Sequence, residues 1–255
     1  MQVRDRVCVV TGGASGIGRA LATRFASEGA RAVVVVDRDT DGACAVAQSV
    51  GGLGMQADVA REDDIRRVID EVEAGSGPID LFCSNAGILV VGGPEVATAE
   101  WQRIWDINVM AHVLAARHLV PRMVARGGGY LLQTASAAGL LSQIGSAPYA
   151  VTKHAAVAFA EWLSITYGDA GLKVSVLCPQ AVRTAMTDGI PGGGVAGIDG
   201  MLEPERVADA VIEGLAAERF LILPHPTVGE YVRRKAEDVE RWLRGMRRLQ
   251  ARFGP

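Results

Sequence analysis

The chain is expected to fold as one α/β domain, a Rossmann-type doubly wound parallel sheet of about seven strands flanked by helices. Three observations predict it. Short runs that are apolar without alternation, such as "VCVVTG" and "AVVVVD", mark strands covered on both faces. These runs take turns with longer segments of helical period. Across 255 residues no Pro- or Ser-rich linker interrupts the rhythm, and this length can bury one large core.

Each element has its own signal. "VCVVTG" is the first strand, and "ATRFASEG" lies in the first helix. "AVVVVD" and "GACAVAQSV" repeat the pair, as do "GMQADV" and "DIRRVIDEVE". "LFCSNAG" is a fourth strand, followed by "WQRIWDINVMAHVLAARHLVPRMV", which the periodicity predicts as one long helix. "GGYLLQTAS" and "KVSVLCP" are strands on either side of the helix "YAVTKHAAVAFAEWLSITYG". "PERVADAVIEGLA" is a helix with a capped start, and "FLILP" is a last short strand. An amphipathic terminal helix is expected over about 228–252. The glycines of 186–201 suit neither helix nor central strand, and that stretch is expected to be a flexible substrate lid at the carboxyl ends of the strands.

Composition narrows the function. A net charge of -3 gives no field that would gather nucleic acid, and no recognised nucleic-acid module is present. With no apolar run of about 18 residues and no charged-then-apolar leader, neither a membrane span nor a secretory signal is expected, and the cytoplasm is the default. Cys8, Cys44, Cys83 and Cys178 show no C-x-x-C spacing, and three of them sit in strand runs as small hydrophobes. His112, His118, His154 and His225 show no H-x-x-x-H spacing, so no metal site is expected.

Four features carry chemistry. Gly12, Gly16 and Gly18 lie at the first strand-to-helix turn, where glycines let backbone approach a pyrophosphate and the helix end meets its charge. Asp37 ends the second strand, nineteen residues after Gly18, where a carboxylate accepts hydrogen bonds from an adenosine ribose and repels a 2′-phosphate. That predicts NAD over NADP; Arg38 alongside reads as a solvated surface charge or as an arginine that can turn to a phosphate. Tyr149 and Lys153 are four apart on a helix and share a face, so the ammonium is expected to lower the phenol's pKa and make it a usable acid and base. Ser136, thirteen residues before Tyr149 at a strand end, can hydrogen-bond a substrate oxygen as its charge changes, and is better placed than Thr134 or Ser142.

Together these residues resemble the short-chain dehydrogenase/reductase family, in its short single-domain branch. The likeness rests on "TGGASGIG", Asp37, "DV", "NAG", "IN", Ser136, "YAVTK" and "PQAVRT", in family order over roughly the first three quarters of the chain. It implies that Ser15 and Ile17 join the glycines at the pyrophosphate. Asp58 and Val59 would lie beside the adenine, Asn85, Ala86 and Gly87 would line the cleft, and Pro179, Val182 and Thr184 would lie at the nicotinamide. Asn108 would hold a water linking Lys153 to solvent. Two positions depart from the pattern: Gln180 stands where glycine follows the proline, and Ser84 where a second asparagine is common.

The implied reaction is hydride transfer between NAD and a hydrophobic secondary alcohol or its ketone, with Ser136, Tyr149, Lys153 and Asn108 as the catalytic set. By family position Leu140, Leu141, Ile144, Ala181 and Met186 would face the substrate, while Arg183 reads as a surface residue. A 3-oxoacyl-thioester reductase and a non-catalytic NAD-sensing or scaffold protein are the alternatives. A homotetramer or homodimer is the implied assembly. The basic terminal helix reads as a solvated face with pairs such as Glu237 and Arg241, or as a cover over the active site or a subunit contact.

Overall fold

Val7 to Thr11 are buried on both faces of a strand, β1, and its central position explains the unbroken apolar run. In the computed structural model, which describes residues 1–253, β1 pairs in parallel with β2 (Ala32–Asp37) and β4 (Leu81–Ser84). With β3 (Leu53–Gln56), β5 (Gly129–Thr134), β6 (Leu172–Leu177) and β7 (Leu221–Ile222) they form a seven-stranded parallel sheet in the order β3-β2-β1-β4-β5-β6-β7. The chain winds outward from β1 to β3, then returns beside β1 and winds the other way. A crevice therefore opens past the carboxyl ends of β1 and β4.

Successive side chains of β1 go to opposite layers. Cys8 and Val10 pack under α1 (Gly16–Ser27), α2 (Thr40–Ser49) and α7 (Pro204–Ala216). Val7 and Val9 pack under α3 (Glu62–Ser76), α5 (Ala111–Ala125) and α6 (Ala147–Tyr167). At ~1.5–3 kcal/mol for each fully buried aliphatic side chain, these two layers supply most of the driving force for the fold. Cys8, Cys83 and Cys178 are buried hydrophobes as expected, and burial pushes the Cys8 and Cys178 thiols up to about 12.

The helical segments differ from expectation in three places. The long helix is interrupted: α4 (Thr98–Trp105) passes through a π turn at Asp106–Met110, where Ala111 N–H reaches back to Asp106 C=O, before α5 begins. The terminal helix is two helices, α8 (Thr227–Glu237) and α9 (Val239–Phe253). Asp238 between them is extended (φ -154°, ψ 92°) and its Oδ1 accepts from Arg241 N at 2.8 Å, so it caps α9 rather than continuing α8. At α7 the capped start is only partial. Pro204 opens the helix, but the Glu203 side chain makes no cap and pairs instead with Arg183 at 2.7 Å. Among the described residues no helix is long and apolar enough to cross a membrane, and no cluster of metal-ligating side chains is present.

Candidate active site

The crevice at the sheet's switch point is a cleft of about 820 Å³. Its floor begins where β1 runs into α1. Ser15 is extended and makes no side-chain cap, so the first N–H groups of α1 face the cleft with no partner from the helix itself. Gly12, Ser15, Gly16 and Ile17 lie on this wall. Gly18 does not: a Cβ there would stand 2.0 Å from Gly12 O and 2.8 Å from Asn85 Nδ2, so its glycine serves packing beneath the turn.

Farther out, Asp37 Oδ2 accepts from Ala14 N and Oδ1 from Asp39 N, each at 3.1 Å, which fixes the carboxylate at the rim with lone pairs to spare. Asp58 and Val59 line the same end, although β3 stops at Gln56 and both lie in the loop beyond it. On the opposite wall Asn85, Ala86 and Gly87 follow β4, and Pro179, Val182 and Thr184 follow β6. Asn85 also braces the crevice. Its Nδ2 donates to Thr11 O at 3.1 Å and its Oδ1 accepts from Thr134 Oγ1 at 3.1 Å. Thr11 completes this brace by accepting from Asn85 N at 3.0 Å and from Ala86 N at 3.2 Å, a role that its position before Gly12 did not announce. The backbone cradle, the uncapped helix start and the rim carboxylate together fit a dinucleotide.

At the inner end Ser136, Tyr149 and Lys153 line the cleft together. Ser146 sets the start of α6: its Oγ accepts from Tyr149 N at 3.3 Å and donates to Val90 O at 2.5 Å, and Pro148 follows in the first turn. That S-x-P signal marks the cap in the sequence, and it fixes Tyr149 in the first turn with Lys153 one turn on. Lys153 Nζ lies 5.6 Å from the Tyr149 ring centroid and donates to Thr134 O at 2.9 Å.

The electrostatics differ from the sequence expectation. Burial dominates both groups: it raises the Tyr149 hydroxyl above its ordinary range, offset in part by the Ser136 hydroxyl, and it brings Lys153 down to about 8. The Lys153 ammonium donates to the Thr134 carbonyl, and burial outweighs any lowering of the phenol. Behind it, His112 is held neutral, pushed down to about 3 by burial first and by Lys153 second.

Asn108 lies in the π turn, fully buried and off the cleft wall. Its Oδ1 accepts from Ile88 N at 2.9 Å, and its Nδ2 donates to Ile88 O at 3.0 Å and Thr152 Oγ1 at 3.2 Å. It thus ties the loop after β4 to α6 at the residue before Lys153.

A second cavity of about 630 Å³ adjoins the cleft, and Ser136 and Gln180 line both. Leu141, Ile144, Val195 and Ile198 give it an apolar wall, and Trp242, Met246 and Leu249 of α9 close its outer side. Of the other expected pocket residues, Leu140 and Ala181 pack into the protein interior and Met186 lines the cofactor cleft. Lys235 was hidden in the basic tail: its Nζ donates to Leu140 O at 2.7 Å and Leu141 O at 3.1 Å, pinning the pocket loop to α8. Tyr231 and Thr227 of α8 both donate to Asp199, at 3.0 and 3.1 Å, tethering the end of the 186–201 segment. The Glu237–Arg241 pair does not form; Arg234 pairs with Glu230 instead, at 3.4 Å.

Comparison with known proteins identifies the family. The family model described as short chain dehydrogenase matches residues 6–192. The chain is 38% identical over 250 residues to the 1-deoxy-11-beta-hydroxypentalenate dehydrogenase of Streptomyces exfoliatus, covering 94% of this chain and 90% of that one. It is 31% identical over 220 residues to the cis-4-hydroxycyclohexanecarboxylate dehydrogenase of Sinomonas cyclohexanicum, covering 81% and 88%. Among solved structures, a short-chain dehydrogenase/reductase from Burkholderia phymatum in complex with NAD superposes with a TM-score of 0.86 at 28% identity, covering 94% of this chain and 96% of that one.

Proposed function

The chain belongs to the short-chain dehydrogenase family and is an oxidoreductase acting on CH–OH groups, and we propose that it interconverts a hydrophobic secondary alcohol and its ketone with NAD as its cofactor. One observation carries this reading: Ser136, Tyr149 and Lys153 share a single cleft with the glycine-rich turn and with Asp37. NAD is favoured over NADP because the Asp37 carboxylate at the rim would repel a 2′-phosphate. The aliphatic and aromatic side chains of the second cavity and the hydroxycyclohexanecarboxylate named for one relative support an alicyclic alcohol.

When bound, NAD supplies the hydride acceptor for oxidation and, in its oxidised form, a positive charge. Ser136 holds the substrate oxygen as the C–H bond is broken. Tyr149 takes the hydroxyl proton in oxidation and returns it in reduction. Lys153, anchored on Thr134 O, orients the ribose and relays the proton from Tyr149. Asn108 positions Lys153 through Thr152. The 186–201 segment serves as a lid, for which slowed amide exchange in a ternary complex is the check.

The deciding experiment is Tyr149→Phe. General acid–base catalysis of this kind contributes ~10²–10⁴ in rate, so the variant should lose nearly all turnover while binding NAD as before. Wild-type turnover in that variant would overturn the assignment.

A further inference from the structure

Gln180 is the departure from the family pattern that changes the reaction chamber. Its backbone is fixed: the N–H donates to His225 Nδ1 at 3.2 Å, and the preceding Pro179 C=O accepts from Ala137 N at 2.8 Å. Its side chain is not. Neither end of the amide makes a hydrogen bond among the described residues, and Oε1 is buried without a partner. A buried amide left unpaired is costly, and one that no neighbour holds turns readily about its last torsion, presenting either C=O or NH₂. Among the described residues Gln180 and Ser136 alone line both the cofactor cleft and the second cavity, so this unheld amide borders the junction of the two.

Resting on the dehydrogenase reading above, the geometry points to Gln180 as a specificity-determining residue that binds a second oxygen on the carbon adjacent to the reacting carbinol. Vicinal diols and α-hydroxy ketones are then the favoured substrates. Ser136 takes the reacting oxygen, and the Gln180 amide accepts from or donates to its neighbour. A mono-alcohol leaves that amide unpaired. Groups more distant from the reacting carbon meet a lining that mixes Leu141, Ile144 and Trp242 with Gln143, Arg234 and Arg241, none of which borders the cofactor cleft.

The test uses the full chain as wild type, Gln180→Met and Gln180→Gly, with cis-cyclohexane-1,2-diol and cyclohexanol as probes. Turnover with NAD and calorimetric binding to the protein–NAD complex are both measured, after thermal melts show that each variant folds. The diol-to-cyclohexanol ratio, in kcat/KM and in affinity, should favour the diol at least tenfold in wild type and fall at least tenfold in both variants. An unchanged ratio overturns the proposal. So does parallel loss for both probes with weaker NAD binding, which would assign Gln180 to the cofactor, and so does a wild type that binds the two probes equally. Lack of turnover with every alcohol would count against the dehydrogenase reading, while the affinity ratio still decides the role of Gln180.

Discussion

Lys153 offers a measurement that needs no substrate. It is 2% exposed, its ammonium has one acceptor among the described residues, Thr134 O at 2.9 Å, and burial brings it from 10.5 down to about 8. The folded state therefore carries an ammonium at a cost that the unfolded chain does not bear. At ~1.4 kcal/mol for each pH unit, the full cost is ~3 kcal/mol. Its sign follows from proton counting. Below pH 8 both states are protonated and the cost is complete; between pH 8 and 10.5 the unfolded chain binds more protons, so stability rises with pH. The perturbation is Lys153→Met, which keeps the volume and removes the proton. Urea unfolding under reducing conditions at pH 7, 8, 9 and 10 gives the stability of each protein. Tyr149, Cys8, Cys83 and Cys178, all raised by burial, act in the opposite direction, because the unfolded chain ionises first. Tyr149, Cys8 and Cys83 do so in both proteins, so the difference reports Lys153 together with its smaller effect on Cys178. Wild type should gain on the variant by ~1 kcal/mol or more for each pH unit above 8. A difference that stays flat from pH 8 to 10 would refute the depressed value and the burial argument behind it.

Two further expectations concern binding and positioning. Asp37→Ala removes charge-assisted acceptors worth ~1.5–3 kcal/mol, so kcat/KM with NAD should fall about tenfold or more and the NAD-to-NADP ratio, at least tenfold in wild type, should collapse toward unity; steady-state kinetics with both cofactors checks it. Asn108→Ala leaves Ile88 N–H, Ile88 C=O and Thr152 Oγ1 without this partner, which should cost ~2–3 kcal/mol in urea unfolding and lower kcat more than it raises KM.

The strands and the glycine turn were legible because their signals are local: five buried residues in β1 read as an apolar run, and Gly12 to Gly18 stand where a strand meets a helix. The π turn was not. It adds a residue to the helix so that Asn108 reaches Ile88 and Thr152, and no periodicity encodes a partner twenty or more residues away. The break at Asp238 had a signal, an aspartate able to cap, but it was masked by the strong helical period on both sides. Spacing placed Tyr149 and Lys153 on one face correctly, yet spacing carries no information on what else borders that face. The Thr134 carbonyl and the depth of the pocket decide where the ammonium points and which way both groups shift.

Backbone ties hold the first turn of α6, which carries Tyr149. Ser146 holds the first turn of α6 to Val90 O, Ala147 N donates to Gly92 O at 2.8 Å, and Gly92 N donates to Gly145 O at 2.9 Å. Asn108 joins Ile88 to Thr152 one turn farther along. All of these bonds except Asn108–Thr152 end on residues 88–92, the segment that leaves β4 and continues directly from the Asn85–Gly87 wall of the cofactor cleft. These bonds link the segment that continues the cleft wall to the helix that carries Tyr149 and Lys153.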